Sequence, residues 1–269
     1  MEDIAAMMTA ESGCAKCPDP CFVDVQELPP NFKSKITMNE PLYGTVSSHK
    51  WHIVFTSGTS FTKWPAHMDE DPESFTSSIT ESLDHLSDKV KSKFRVSAIT
   101  RGPASGGYGD EEVDIMIFPE RVVYRSVTRE QLDNLFTYHM LQYAHDKAAG
   151  TVSPAVGRDF PAPEPIKEQW VFICGHKLRD NRCGIIAPIL REQFEAVFEK
   201  RGMKDIEIDL ISHVGGHKFA GNIIIETTHD VGAVWYGRVF PEHVDNIVYT
   251  TLIKGEILKP LLRGKTGDW

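Results

Sequence analysis

The segment Phe118-Pro-Glu-Arg-Val-Val-Tyr-Arg-Ser-Val-Thr-Arg-Glu-Gln-Leu132 is answered in the second half of the chain by Ala233-Val-Trp-Tyr-Gly-Arg-Val-Phe-Pro-Glu-His-Val244. In each, a strand gives way directly to a helix N-terminus. Thr128 opens one helix, with Glu130 and Gln131 in its first turns, and Pro241 opens the other. Outward from these junctions the same order of elements recurs. The first half reads as a strand at His52–Thr56 ended by Ser57-Gly58, then a helix between Pro72 and Phe94. That helix carries Phe75, Ile79, Leu83, Leu86 and Val90 on one stripe, with Asp71 as its N-cap. Strands follow at Phe94–Ile99, Val113–Phe118 and Val122–Ser126, and the helix from Thr128 runs to about Tyr143. The second half reads as a strand at Gln169–Ile173 and a helix within Cys183–Arg201 that aligns Ile186, Leu190, Phe194 and Phe198. Strands at Ile206–Ile211, Asn222–Thr227 and Ala233–Val239 complete it.

Each half is therefore strand, helix, three strands, helix: an α/β chain with an internal duplication. The expected organisation is an N-terminal arm over 1–40, a first domain over 41–147, a linker over 148–165, a second domain over 166–257 and a tail over 258–269. Pro154, Pro161, Pro163 and Pro165 mark the linker.

The 269 residues are 41% hydrophobic and 25% charged, a globular composition, and the formal net charge of -9 argues against nucleic acid as the main partner. No apolar run reaches the roughly 18 to 20 residues that cross a bilayer. The start Met1-Glu2-Asp3, with Glu11 close behind, lacks the basic, apolar or Arg-rich features of targeting segments, so the expected compartment is the cytoplasm. Five cysteines, an odd number, do not suit a secreted disulfide framework and point instead to metal or redox chemistry.

That chemistry is written at Phe172-Ile-Cys-Gly-His-Lys-Leu-Arg-Asp-Asn-Arg-Cys-Gly184 and Ser212-His-Val-Gly-Gly-His-Lys-Phe-Ala-Gly-Asn222. In pattern form these are C-x8-C followed by H-x-G-G-H. Cys174 ends a strand and Cys183 begins a helix, whose free N–H groups and partial positive charge favour a thiolate. His213 and His217 follow the next strand, and Gly215-Gly216 between them excludes a helical pair of imidazoles. A glycine turn lets the backbone approach a bulky inorganic group while both rings face it. Two thiolates with two imidazoles suit either tetrahedral zinc or a 2Fe–2S cluster, in which two His replace two Cys. The missing C-x2-C knuckle modestly favours the cluster.

These motifs resemble the thioredoxin-like ferredoxins of the sucrase/ferredoxin-like family, whose signature is C-x8-C followed after a gap by H-x-G-G-H. The resemblance covers about residues 40 to 257, including the Phe-Pro-Glu and Trp-Tyr-Gly-Arg segments. It implies two thioredoxin-like domains in tandem, the C-terminal one a thioredoxin-like ferredoxin with a 2Fe–2S cluster on Cys174, Cys183, His213 and His217. In the duplication Ser57 falls where Cys174 sits, so the first half would lack the site. His213 and His217 are expected to share the iron nearer solvent and the two cysteines the inner iron. His176 is a candidate supporting residue, and Lys177, Arg179 and Arg182 place positive charge between the cysteines.

Two terminal features complete the reading. Cys14, Cys17 and Cys21 form C-x2-C-x3-C, a spacing open to metal binding, disulfide exchange or no role. Gly267-Asp268-Trp269 resembles the C-terminal tripeptides by which some clients recruit the cytosolic iron–sulfur assembly machinery, although glycine replaces the usual aliphatic residue. The leading expectation is an electron carrier with unknown redox partner proteins, rather than an enzyme with its own substrate pocket. A thiol-disulfide oxidoreductase and a zinc-stabilised interaction module are the alternatives.

Overall fold

The computed structural model describes residues 23–90, 93–103, 111–150 and 158–268, with the side chains of 87–90 left aside; Cys14, Cys17, Cys21 and Trp269 lie outside that set. The first half contains β1 (Trp51–Thr56), α1 (Phe75–Val90), β2 (Phe94–Ile99), β3 (Val113–Phe118) and β4 (Val122–Val127). It closes with α2 (Leu132–Tyr138), which passes through a π-helical turn at His139–Tyr143 into α3 (Ala144–Ala149). Thr128 and Gln131 form the capping box that starts this helix, with the Thr128 N–H donating to Gln131 Oε1 at 3.0 Å.

After a two-residue strand β5 (Glu164–Pro165), the second half contains β6 (Gln169–Cys174), α4 (Asn181–Arg201), β7 (Ile206–Ile211), β8 (Ile223–Glu226) and β9 (Ala233–Tyr236). A short helix α5 (Val244–Ile247) again leads into a π-helical turn, at Val248–Ile253. The segment read as a tail carries one more strand, β10 (Leu262–Lys265), antiparallel to β9.

Among the described residues the ten strands form one sheet in the order β10-β9-β8-β6-β7-β2-β1-β3-β4-β5. Within each half the pattern repeats. β1 is parallel to β2 and antiparallel to β3, and β6 is likewise parallel to β7 and antiparallel to β8. The halves join where the C-terminal ends of β2 and β7 meet antiparallel, Ile99 opposite Ile211. Backbone bonds from Ser212 to Ala98 (2.8 Å) and from Thr100 to Leu210 (3.2 Å) extend the junction. The loops that leave β1, β2, β6 and β7 therefore gather at the centre of the sheet.

The period of two along the strands explains why β1 is buried at all six positions. Ile53 and Phe55 face a core built with α1 and α2, which contribute Phe75, Ile79, Leu83, Leu135 and Phe136. Val54 faces the other way, into a second core shared with the C-terminal half, alongside Met116, Phe118 and Val123. There the Phe118 and Phe172 rings meet edge to face at 6.1 Å, a contact worth about 0.5–1.5 kcal/mol beyond its buried area. The halves thus share side chains as well as a sheet.

That shared layer also encloses charge. Burial pushes the Glu226 carboxyl up to about 8, with Arg121 opposing, while burial holds His49 down at about 4 and His52 well below the usual range. A carboxyl raised from 4.5 in the unfolded chain to about 8 in the fold binds its proton more tightly when folded, so it subtracts stability as pH rises through that window. The Glu226→Gln variant is expected to melt higher than the parent at pH 8, by an amount on the order of a few kcal/mol. The difference should vanish near pH 4.5 in thermal scans run across pH.

Candidate metal centre

Cys174 is the last residue of β6, and its N–H is held by the Asn222 carbonyl at 3.0 Å. Cys183 is the third residue of α4, whose N-cap Asp180 accepts from the Arg182 N–H at 2.9 Å. Both thiols are free and 1% exposed. The Cys174 sulfur lies within hydrogen-bond reach of Cys183, His213 and the Val214 backbone N–H. The pair ionises unequally. The hydrogen bond from Cys183 holds Cys174 well below the usual thiol range, and the same bond, with burial, pushes Cys183 up.

His213 follows the end of β7 by two residues, and His217 begins a 3-10 turn at His217–Phe219. Their rings lie 5.5 Å apart at 38°. Both are half-buried, yet the Nδ1 of each is fully buried and has no hydrogen-bond partner. A buried imidazole nitrogen without a partner costs free energy unless something else satisfies it. The four sequence-predicted residues are thus linked in a row of contacts, Cys183 to Cys174 to His213 to His217.

The turn between the imidazoles depends on its glycines. Gly215 and Gly216 adopt φ +80° and +69°, and a Cβ on Gly216 would sit 2.3 Å from the Arg263 guanidinium. Arg263, on β10 and 1% exposed, donates from Nη1 to the Gly215 carbonyl (3.1 Å) and to Asn222 Oδ1 (2.9 Å). Its Nε and Nη2 donate to the Thr45 hydroxyl and carbonyl at 3.1 and 3.0 Å. Asn222 Nδ2 in turn donates to the Gly216 carbonyl at 2.9 Å. Burial lowers the Arg263 pKa to about 10, and the two cysteines oppose that shift.

The first half closes the other side. His176 is 2% exposed; its Nδ1 accepts from the His213 N–H at 3.2 Å, and its Nε2 faces the Pro65 carbonyl at 2.8 Å. Those two bonds fix its tautomer, with the proton on Nε2. Trp64 meets the His176 ring edge to face at 5.7 Å and donates through Nε1 to Ser57 Oγ at 3.3 Å. The strand register corrects the expected equivalence: Cys174, last in β6 and opposite Ile211, corresponds to Thr56, last in β1 and opposite Ile99, whose hydroxyl accepts from the Asp114 N–H at 2.8 Å. Ser57 corresponds instead to Gly175 and donates its own hydroxyl to the Ile99 carbonyl at 2.7 Å. Of the three cations between the cysteines, Arg182 is paired with Asp180 at 2.8 Å and Arg179 donates to the His67 ring at 2.8 Å. Lys177 lays its side chain over Gly184, where a Cβ would come within 2.6 Å of it.

The four residues that the sequence motifs name lie together here, whereas Arg263, Asn222 and Trp64, which pack around them, belong to no such motif. Arg263 carries no local signal, since it lies in a charged stretch 48 residues beyond Gly215.

The sequence profile of the sucrase/ferredoxin-like family matches residues 42–264. The chain belongs to the sucrase/ferredoxin-like family. Among its sucrase/ferredoxin-like relatives, "Altered inheritance of mitochondria protein 32" of Clavispora lusitaniae is 32% identical over 95% of this chain and 92% of its own length. The protein of that name from Debaryomyces hansenii is 31% identical over 93% of this chain and 95% of its own. "Actin patches distal protein 1" of Saccharomyces cerevisiae is 37% identical over 34% of this chain and 32% of its own. A solved thioredoxin-like [2Fe-2S] ferredoxin from Aquifex aeolicus aligns with 37% of this chain and 94% of its own, at 25% identity and a TM-score of 0.29, too low to assign the fold. Among the described residues no helix is long and apolar enough to cross a membrane.

The glycine turn offers a direct check on this geometry. Gly215→Ala meets no atom within 4 Å and should cost only its backbone strain, about 1 kcal/mol. Gly216→Ala adds a collision with Arg263 and should cost about 2–4 kcal/mol. Urea denaturation of the metal-free proteins measures both, and equal losses would mean that Arg263 does not press on the turn.

Proposed function

We propose that this chain is a ferredoxin-type electron carrier in which Cys174, Cys183, His213 and His217 hold a 2Fe–2S cluster. The observation that carries this reading is the donor set itself: two buried thiols in contact, beside two imidazoles whose buried Nδ1 atoms have no partner. The donors fall into a sulfur pair and a nitrogen pair. Among the described residues no three His, Cys, Asp or Glu side chains are already gathered for a metal ion, zinc or iron alike. Two pairs suit two irons. The oxidoreductase alternative is weakened at this site by the burial of Cys174 and Cys183 at 1%, which leaves neither of these two sulfurs open to an incoming thiolate.

When bound, such a cluster supplies a one-electron couple whose potential rises as histidine replaces cysteine. The protein's own contribution is placement. β6 and the N-terminus of α4 keep the thiols away from water, and the helix terminus adds positive potential beside them. His213 and His217 are the more exposed donors, so we assign them to the iron nearer solvent, the side an electron would use. His176 and the 64–67 segment of the first half hold the His213 backbone and cover the opposite side. We read each half as a thioredoxin-like unit, the second bearing the site and the first serving as its cover.

The partners in this reading are one-electron donor and acceptor proteins, with Trp269 as the contact to the cytosolic iron–sulfur assembly machinery. Two free thiols suit a reducing compartment, in our reading the cytoplasm. The relatives are named for mitochondria, so subcellular fractionation is the matching check.

Anaerobic purification with a visible spectrum and metal analysis tests the core of the proposal. A red-brown protein with about two irons and two sulfides per chain is expected. The spectrum should shift in His213→Cys and His217→Cys variants that still bind iron. A colourless protein with one zinc per chain would remove the electron-transfer reading and leave the zinc module.

A further inference from the structure

Arg263 is enclosed without a fixed counter-charge. Its four hydrogen bonds all end on neutral acceptors: the Thr45 hydroxyl and carbonyl, the Gly215 carbonyl and the Asn222 amide oxygen. Among the described residues no carboxylate forms an ion pair with it. A guanidinium removed from water is costly unless negative charge lies close by. Its hydrogen-bond partner Asn222 accepts the Cys174 N–H through its own carbonyl at 3.0 Å, which places Arg263 one residue from the sulfurs. The negative groups that act on it are the sulfurs of Cys174 and Cys183, with Arg95 as an opposing cation. Position 222 underlines the point. Its side chain is 1% exposed and 2.9 Å from Nη1, the place where a carboxylate would complete a buried ion pair, yet it is an amide.

We propose that Arg263 is the buried counter-cation of the cluster and the clamp of its histidine loop, favouring the reduced state of the site. This rests on the 2Fe–2S reading above. In the oxidised site two ferric ions, two sulfides and two thiolates cancel, so its net charge is zero; one electron from an external donor leaves one negative charge. A permanently paired arginine would be indifferent to that electron. An unpaired one, held in a low-dielectric setting, attracts it. The same side chain ties Gly215 to Thr45, so it also fixes the turn that spaces His213 and His217.

Three variants separate these roles. Asn222→Asp supplies the missing carboxylate with almost no change in size, and Arg263→Met removes the charge. Arg263→Lys keeps the charge and loses the planar fork. In dithionite titrations of the iron-loaded proteins, Asn222→Asp and Arg263→Met should weaken electron affinity at least tenfold, about 59 mV for a one-electron couple. Arg263→Lys should stay within about threefold. Its metal-free form should instead show faster hydrogen exchange at the amides of 212–217 than the parent. Should Arg263→Met fail to fold, Asn222→Asp decides the matter alone. Variants that match the parent in iron content and spectrum, with potentials within threefold of it, overturn the counter-charge. Unchanged exchange in Arg263→Lys overturns the clamp. A parent protein without iron and sulfide sinks the cluster reading and the counter-charge with it, whereas a loaded parent with unmoved variants sinks the counter-charge alone.

Discussion

The meeting of β2 and β7 at their C-terminal ends is the constraint on which the rest of the molecule depends. Each half on its own would end its central strands at a sheet edge, with the loops beyond open to water. Joining Ile99 to Ile211 brings the two sets of loops face to face. Only in that arrangement does the segment around Trp64 and Pro65 reach His176, and only then does His176 reach the His213 backbone. The junction itself is narrow, so it relies on side chains on both sides of it. Phe118 against Phe172, and Val54 and Val123 in the same core as Val171 and Ile225, supply that support.

Much of this was legible in the residues. The strands predicted at Phe94–Ile99, Val113–Phe118 and Ile206–Ile211 match the observed limits, because each is a short apolar run with a clear stop. The repeated order of elements was also legible, since the capping chemistry at Thr128 and Pro241 marks equivalent points. What the pattern did not reveal was how the two copies combine. Tandem domains with a linker were expected, whereas the observed copies share one sheet and one of two cores. A junction made by one strand pair leaves no periodic trace. β10 was hidden for a different reason: Leu262-Arg-Gly-Lys265 is short and charged, and its strand character comes from pairing with β9 and burying an arginine. The π-helical turns at His139–Tyr143 and Val248–Ile253 likewise have no signature in the spacing of apolar residues.

At the candidate centre the division is similar. That Cys174, Cys183, His213 and His217 come together was readable, because two cysteines and two histidines in fixed motifs at the ends of neighbouring strands converge. Their supports were not, because hydrogen bonds to carbonyls can be made by many residue types. Thr56, in the place that Cys174 takes in the second half, shows the difference between the halves in a single side chain. Where the second half places a thiol among the candidate ligands, the first places a hydroxyl that accepts from the Asp114 N–H. The first half therefore has a structural hydroxyl at that position, and its 64–65 segment packs against His176 as a wall.

The bond between Arg263 and Thr45 spans 218 residues of sequence. Protein chains emerge from the ribosome N-terminus first, and early segments fold while later ones are still being made. Thr45, Trp64, both cysteines and both histidines are therefore all synthesised before the strand that locks the histidine loop. A nascent chain has every donor in the open before it has the means to hold them in place. The loop that carries His213 and His217 therefore takes its final form only once β10 has been made and has paired with β9.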